Sequence, residues 1–470
     1  MDAASRLSGW NFGRLDAESD AKLLNYFLDT GLVERIRDEG AKLVVGRKGS
    51  GKTALFRYLE QNLEAAVVPL DLDEYVWEFH RGFTEQGLAG ERAYAASWRL
   101  LIFVSAISAL SSSLDKDESK RVSAALSDLG VSADSGRVRA ILNWLKRVRR
   151  VDLPEVTGIA SGGGFELDGA DASALSTKTA DAIRTLGEVL AEICKRAPFV
   201  VLIDRLDDAW DGSDDSLDLI AGAIRATRDI GISHQNGGSL PPVVTFLRAD
   251  LWERVSFNDR NKMSQDIVFL DWETDQLAEV VALRIATSLS VPIDDAWAEV
   301  FTTDEMRQRA RAKTYLTKRT LGRPRDIVAF AEFSRQAAVR AGLDVIDAAS
   351  IYEAERRYSR HILDELKDEM DRHVPDFNAV TNALKALGTR TFNEQAWLAA
   401  CKTNGIAAKE ARELLDALFE TSIVGMHATG GAKGGSGTVY RYEDRHLHPT
   451  SGATLQVHLA LVKELGLKDA

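Results

Sequence analysis

The sequence predicts an α/β fold in which a parallel sheet carries helices on both faces, followed by a helical segment and a smaller C-terminal domain. Three observations support this prediction. A strand-like run, Lys42–Gly46, leads through a glycine-rich loop into a helix-like run. Apolar runs at Phe199–Ile203 and Val243–Leu247 alternate with helical patterns, which is typical of parallel sheets. From residue 275 to 369 every signal is helical.

The glycine-rich loop fits the P-loop template G-x-x-x-x-G-K-[ST]. Glycines let the backbone bend so that successive amide groups point into one concavity, and a helix that begins near Lys52 adds its positive N-terminal end. Lys52 is expected to reach the β- and γ-phosphates, and the Thr53 hydroxyl to join the ligands of a Mg²⁺ ion. The candidate binding residues are Gly46, Lys48, Gly49, Ser50, Gly51, Lys52, Thr53 and Ala54. We therefore expect a nucleoside triphosphate or diphosphate to bind here.

Composition is that of an ordinary globular protein. The chain has 470 residues, of which 45% are hydrophobic and 28% charged. Its formal net charge of −12 argues against non-specific coating of nucleic acid. Cys194 and Cys401 lie in apolar helical patterns and imply neither a disulfide framework nor a zinc site. The apolar run Leu100–Leu110 is too short to span a bilayer, so we expect it to form a buried helix. Since no signal peptide is apparent either, we expect a cytoplasmic protein without membrane contact.

The run Phe199–Ile203 ends in Asp204, as expected of a Walker B strand. Ligands gather at the carboxyl ends of parallel strands, and a carboxylate there can hold Mg²⁺. Asp204 is therefore our candidate metal ligand together with Thr53. The next position, where a glutamate would orient the attacking water, is Arg205. Asp207 and Asp208 lie within one turn and are candidate substitutes, although Asp207 could instead pair with a neighbouring arginine, so we expect slow hydrolysis.

Three arginines are candidates for reading the phosphate state. Arg248 follows the strand Val243–Leu247, where an arginine can approach the γ-phosphate through a charge-assisted contact; a salt bridge is the alternative. Arg323 and Arg325 flank Pro324, which suits a first helical turn, after Gly322. Either arginine could reach back to the phosphates from a helical lid, and simple helix-start chemistry is the alternative.

Together these motifs resemble the additional-strand P-loop ATPases related to AAA+, especially the STAND and origin-recognition-like branch. The resemblance covers residues 10 to about 340 and implies ATP or ADP as the ligand. Phe12, Gly13 and Arg14 resemble the segment that contacts adenine in those proteins, Arg248 their sensor arginine, and Gly322–Arg325 their lid motif. The P-loop with Phe246–Val255 and Phe257–Lys262 also resembles bacterial P-loop ATPases encountered near phage-defence genes.

The chain divides by pattern into four segments. Residues 1–40 read as a helical lead-in, 41–290 as the P-loop core with an insertion at about 115–180, 291–370 as a helical lid, and 371–470 as a winged-helix-like domain of three helices, a hairpin and a final helix. The last segment holds eleven Lys/Arg and eleven Asp/Glu residues, and its presumed recognition helix is acidic. Since phosphate contacts need cations, this domain is expected to bind protein or to inhibit the chain itself, rather than to read DNA.

A basic amphipathic helix at Arg137–Arg150 is the better candidate for a nucleic-acid contact, with a solvated charged face as the alternative. Our first functional hypothesis is an ATP-binding and ATP-hydrolysing switch that controls assembly with itself or a partner effector, in the setting of anti-phage defence. The alternatives are a DNA-binding or DNA-loading ATPase and a protein-interaction module that holds nucleotide as a structural ligand.

Overall fold

The computed structural model describes residues 3–72, 90–128, 169–235, 242–257, 260–370, 374, 376–428, 437–450 and 452–469. For residues 3–5, 90–93, 169–177, 209 and 234–235 it describes the backbone alone. Contacts divide the chain into two compact units. We call them the sheet unit, which holds Gly31–Arg47 and Leu55–Leu270, and the lid unit, which holds Met1–Thr30, Lys48–Ala54 and Asp271–Ala470.

The sheet unit contains a five-stranded parallel sheet. Its strands in chain order are β1 (Leu43–Gly46), β2 (Ala66–Asp71), β3 (Phe199–Asp204), β4 (Val243–Arg248) and β5 (Ile267–Phe269). The spatial order is β2-β3-β4-β1-β5, and every neighbouring pair is parallel. Strand β4 therefore lies between the strand before the P-loop and the strand that ends in Asp204. This order, with the predicted strands in place, confirms the predicted P-loop fold with a parallel sheet.

Helices accompany the strands of this unit along the chain. They span Leu32–Arg37, Lys52–Asn62, Gly90–Ala109, Lys116–Asp128, Gly169–Arg196, Asp214–Gln235 and Ala249–Arg254. Strands β1 and β3 are buried along their whole length, which is typical of a parallel sheet covered on both faces. The apolar run expected to form a buried helix lies in Gly90–Ala109, and residues 100–107 are buried. None of the described helices has the length and apolarity to cross a membrane.

The lid unit is mainly helical between residues 274 and 370, as predicted. Its helices there span Thr274–Leu289, Ala296–Val300, Ala312–Thr317, Pro324–Arg340 and Ala348–Met370. The last two pack side by side, and the rings of Phe330 and Tyr358 stack between them at 4.3 Å. Apolar side chains from this helical region and from the C-terminal domain form one continuous core.

The expected helical lead-in is confirmed only in part. Ala3–Ser8 and Leu32–Arg37 are short helices, and Leu23–Tyr26 is a single 3-10 turn, with bends and turns between them. Within that turn Leu23 and Tyr26 are buried. Glycines with positive φ at residues 13 and 31 interrupt the segment, because such a backbone cannot continue a right-handed helix.

The C-terminal domain has the predicted three helices and hairpin. The helices span Phe377–Ala386, Glu394–Thr403 and Ala408–Glu420, and a short final helix spans Val462–Leu465. Strands β6 (Thr391–Phe392), β7 (Val424–Ala428), β8 (Gly437–Val439) and β9 (Thr454–Val457) form an antiparallel sheet in the order β6-β9-β7-β8. Strand β9 was not predicted. The winged-helix interpretation and the four segment boundaries stay predictions.

Candidate functional site

The sheet unit gathers polar residues at one edge of its sheet. The carboxyl ends of parallel strands meet at a common edge, which is where ligands bind in such sheets. Gly46, the first glycine of the P-loop, ends β1 and lies beside Arg248 at the end of β4. Asp204 ends β3 and lies beside Asp71 at the end of β2. The predicted residues of this unit are thus placed at the edge that the motif requires.

Asp204 ends the fully buried strand β3, as predicted, and is itself only 4% exposed. One of its carboxylate oxygens, Oδ1, accepts a hydrogen bond of 2.9 Å from the backbone N–H of Arg205. Such a bond orients the carboxylate group. The assignment of Asp204 as a metal ligand stays a prediction.

Arg205, in the position where a glutamate was expected, has a left-handed backbone with φ of 63°. Non-glycine residues rarely adopt this conformation. Its guanidinium lies 3.6 Å from Asp71 and 3.9 Å from Asp208. Asp207 and Asp208 lie in a 3-10 turn at Leu206–Ala209. An arginine thus lies near Asp208, whereas the pairing that was the alternative for Asp207 and a catalytic role for either acid stay predictions.

Asp71 is an acidic residue at this edge that the sequence reasoning missed. It lies beside Asp204, and side chains of register partners in parallel strands point to the same face of a sheet. The signal was present, because the run Ala66–Leu72 predicts a strand that ends near this residue. Only the strand order, which places β2 next to β3, brings the two acids together.

Arg248 forms the salt bridge that was the alternative to a phosphate contact. Its guanidinium donates to both carboxylate oxygens of Asp250, at 3.0 and 2.8 Å. The side chain is only 15% exposed. This bidentate pair orients the guanidinium at the end of β4. A contact between Arg248 and a γ-phosphate stays a prediction.

The lid unit contains the rest of the P-loop, Lys48–Ala54. Gly49 and Gly51 have φ of +80° and +101°, values that favour glycine, and the helix Lys52–Asn62 begins directly afterwards. Gly46 differs from them, because it lies within β1 as the last residue of an ordinary strand. Lys52, Thr53 and Ala54 thus form the first turn of the helix, where backbone N–H groups are available to an anion.

Two side chains hold the backbone of this loop from within the lid unit. The indole N–H of Trp272 donates to the carbonyl of Ser50 at 2.7 Å. The guanidinium of Arg323 donates to the carbonyl of Lys48 at 3.3 Å. With these two carbonyls bound to side chains, the loop is held at both sides of Gly49. Trp272 was not predicted, since a single tryptophan after a strand carries no recognisable pattern.

Arg323 is the most constrained of the predicted lid residues. It is 2% exposed and precedes Pro324, which starts the helix Pro324–Arg340. Its guanidinium pairs with Asp326 at 3.0 Å and with Glu369 at 2.7 Å. Burial by itself lowers the pKa of Arg323, but the two carboxylates outweigh burial and raise the pKa above its ordinary value. The side chain therefore stays charged, and helix-start chemistry coexists with a contact to the P-loop backbone. The predicted contact from Arg323 to the phosphates stays a prediction.

Arg325 also lies at the P-loop. Its guanidinium pairs with Glu365 at 3.1 Å. A Cβ atom placed on Gly49 would lie 3.4 Å from Cβ of Arg325 and 3.6 Å from Cδ of Arg323, so both arginines flank this glycine. Burial raises the pKa of Glu365, but the positive charges of Arg325 and Lys48 outweigh it and hold the pKa below its ordinary value. The lid thus contributes two arginines beside a loop that carries lysines of its own.

Two polar atoms beside the loop are buried without a hydrogen-bond partner in the described part of the chain. They are Oγ of Ser50 and Nη2 of Arg323. Buried polar atoms nearly always have hydrogen-bond partners, and a bound phosphate would supply an acceptor to each of these two. A hydroxyl and a guanidinium are both donors to phosphate oxygens. Together with the glycine conformations and the helix start, they make this loop chemically suited to a nucleotide phosphate.

The N-terminal segment requires a correction. The side chain of Phe12 is fully buried and packs against Trp10 at 4.8 Å and Phe301 at 6.2 Å between ring centroids. Its ring is therefore part of the core and is not available to stack on adenine. Gly13 has φ of +84°, and Arg14 is exposed beside Asp16 at 3.4 Å. A contact from Gly13, Arg14 or the backbone of Phe12 to a base stays a prediction.

Other predicted features stand as follows. The basic stretch Arg137–Arg150 lies outside the described residues. Across the described ranges, no group of three or more His, Cys, Asp or Glu side chains is arranged to hold a metal. A P-loop holds Mg²⁺ through a hydroxyl, phosphates and water with few carboxylates, so Mg²⁺ stays a prediction. In the C-terminal domain, Arg412 pairs with Glu394 rather than standing free on the acidic helix.

Comparisons with known proteins give distant similarities. Residues 275–367 match a family described as the FunZ-associated C-terminal helical domain. The chain is 24% identical over 392 residues to a "Putative transposon gamma-delta 80.3 kDa protein" of Escherichia coli K12. That match covers 80% of this chain but only 54% of the relative, so the chain spans about half of the relative's length.

Two solved structures are similar to most of the chain. The first is Cdc6p from Pyrobaculum aerophilum, at 13% identity and a TM-score of 0.30, covering 95% of this chain and 93% of that one. The second is the RuvB Holliday junction branch migration motor of Thermotoga maritima, at 12% identity and a TM-score of 0.32, covering 93% and 92%. The fold assignment made above stands on the order of the strands and on the P-loop, independently of these two similarities.

Proposed function

We propose that this chain binds ATP and hydrolyses it slowly, and that it acts as a switch whose lid responds to the bound nucleotide. The observation that supports this most is the pair of buried donors beside the P-loop, Ser50 Oγ and Arg323 Nη2, for which the described residues provide no acceptor. A phosphate group supplies such acceptors. Leaving both unpaired would cost about 1–3 kcal/mol each, more for the charged one, so a ligand that pairs them is favoured.

The residues of the loop have separate tasks in this proposal. The backbone N–H groups of Gly49–Thr53 bind phosphate oxygens, and Lys48 and Lys52 balance their charge. Thr53 and Asp204 are the proposed ligands of Mg²⁺ on the strength of the sequence motifs, and the ion would neutralise charge that develops on the phosphates. Arg323 and Arg325 lie beside Gly49 and are placed to respond to phosphate in the loop. Nucleotide and lid are thereby linked through one short segment.

Slow turnover follows from the residue after Asp204. A positively charged Arg205 cannot accept a proton from water, and it engages Asp71 and Asp208. A state with bound ATP would then last long enough to act on a partner or on a second copy of the chain. The setting of phage defence rests on the sequence resemblance alone.

The test is steady-state ATP hydrolysis by the full chain beside Lys52→Ala and Asp204→Ala variants. We expect slow turnover that is lost in both variants, while Asp204→Ala still retains nucleotide. Arg412→Ala, which changes an exposed arginine of the C-terminal domain, is the matched control and should leave turnover unchanged. Nucleotide that is retained without any turnover would instead favour a structural ligand, and failure to bind nucleotide would refute the proposal.

A second candidate function is an ATPase that acts on DNA. The curated relative is described as a transposon protein, and the sequence contains a basic stretch at Arg137–Arg150. Phosphate contacts release counterions, so duplex binding through this stretch should weaken steeply with salt. Duplex DNA that stimulates hydrolysis would favour this candidate, provided that the stimulation is lost when the six basic residues of the stretch are replaced by glutamine. These residues are Arg137, Arg139, Lys146, Arg147, Arg149 and Arg150.

A further inference from the structure

One short segment of the C-terminal domain, residues 440–446, contacts the lid at Gly322. A Cβ atom placed on Gly322 would lie 2.7 Å from Cδ2 of Tyr442, so the aromatic ring packs directly on the glycine backbone. Gly322 has φ of +70°. The ring of Tyr442 is itself held parallel to Tyr440 with centroids 5.7 Å apart, and its backbone N–H donates to Ser422 at 3.2 Å. The contact is therefore made by a side chain with a fixed orientation.

The same segment makes a second contact, with the first residue of the stretch Asp271–Ala470 of the lid unit. Arg445 forms an ion pair with Asp271. The side chain of Arg445 is 29% exposed and that of Asp271 is 54% exposed, so this pair is largely open to water and its energetic contribution is modest. Asp271 directly precedes Trp272 in the chain.

Both contacts are one residue away from a side chain that holds the P-loop. Gly322 adjoins Arg323, which donates to the carbonyl of Lys48. Asp271 adjoins Trp272, which donates to the carbonyl of Ser50. Two separate chains of contacts therefore run from residues 440–446 to the backbone on either side of Gly49. Packed contacts of this kind transmit small shifts, because a close-packed interior does not absorb them.

We propose that residues 440–446 are a clamp on the nucleotide site, so that docking of the C-terminal domain slows nucleotide release. This inference rests on the proposed function and adds its regulation. A partner that pulls the clamp away loosens Trp272 and Arg323 and with them the loop. Because coupling between two sites is reciprocal, bound nucleotide strengthens the docking of the clamp by the same factor. Release of nucleotide and undocking of the clamp thus favour each other.

The test measures the dissociation rate of a fluorescent ADP analogue from the full chain by stopped flow. We expect Arg445→Asp and Asp271→Arg to release the analogue about fivefold faster or more, the lower end of typical coupling between sites. The double swap, which restores the ion pair with its charges exchanged, should return the rate to within about twofold of the unaltered chain. Arg412→Asp breaks the exposed pair with Glu394 and is the control for the same change of charge.

The aromatic contact is tested in the same assay by two substitutions. Tyr442→Ala removes the ring from Gly322 and should speed release, whereas Tyr442→Phe keeps the ring and should leave the rate within about twofold. Melting curves establish that each variant is folded. Unchanged release from both Arg445→Asp and Tyr442→Ala would overturn the clamp while leaving the proposed function intact. Failure of the unaltered chain to bind the analogue would refute the proposed function and the clamp together.

Discussion

Replacing Arg323 with alanine should destabilise the lid strongly. The guanidinium is 2% exposed and pairs with Asp326, which is 1% exposed, and with Glu369, whose side chain is 12% exposed. Alanine would leave both carboxylates buried without their cation. Removing one partner of a buried ion pair typically costs about 3–5 kcal/mol. Arg323→Lys keeps a charge but cannot serve both carboxylates and the carbonyl of Lys48 in the same geometry, so we expect an intermediate loss.

The control is Arg340→Ala, at the far end of the helix that Arg323 precedes. Arg340 pairs with Glu353 on the helix Ala348–Met370, the helix that also provides Glu369, but its side chain is 55% exposed. Exposed pairs contribute about 0–1 kcal/mol, so this variant should change the free energy of unfolding by less than about 1 kcal/mol. The two substitutions remove the same type of side chain from opposite ends of one helix, Arg323 just before its first residue and Arg340 at its last, and the two side chains differ strongly in burial.

Urea unfolding followed by circular dichroism gives the change in the free energy of unfolding, provided that the dependence of this free energy on urea concentration has the same slope in each variant. Hydrogen exchange of the helix Pro324–Arg340 assigns that change to the lid rather than to the sheet unit, since exchange reports local opening. The peptide that contains residues 48–50 should also exchange faster, because Arg323 no longer holds the carbonyl of Lys48. A loss below 1 kcal/mol in Arg323→Ala, or one equal to that of Arg340→Ala, would refute the reasoning.

Three further predictions concern other parts of the chain. In the sheet unit, Trp98 is fully buried and donates to the carbonyl of Leu219 at 3.0 Å, so Trp98→Phe should cost about 1–3 kcal/mol through the orphaned acceptor, and an unchanged urea midpoint would contradict this. The pKa of Glu365 is held below its ordinary value of 4.5 by Arg325 and Lys48, so its contribution to stability is present above that pH and is lost as the pH falls through the folded pKa. Melting temperatures between pH 5 and about 3 should therefore fall less steeply in Glu365→Gln than in the unaltered chain. Burial raises the pKa of Cys401 to about 11, so its thiol should react with Ellman's reagent at pH 8 far more slowly than free cysteine, and rapid labelling of the folded chain would count against its burial.

The strands of the parallel sheet could be predicted closely. The run Phe199–Ile203 predicted β3 to within one residue, and Val243–Leu247 did the same for β4. Continuous apolar runs of this kind report burial on both faces, which is a local property of the sequence. Strand β9 and the 3-10 turn of the lead-in escaped prediction, because four residues carry too little periodicity to reveal a structure.

Some features of the candidate site could likewise be predicted from the sequence, and others depend on the tertiary structure. By itself the sequence determined that a P-loop follows a strand and opens a helix at Lys52, because its glycines and its lysine carry that chemistry in eight consecutive residues. Tertiary structure alone decided that Phe12 belongs to the core, that Asp71 lies beside Asp204, and that Trp272 holds the loop. Each of these joins residues that are far apart in the chain. Such contacts depend on strand order and packing, which no local pattern encodes.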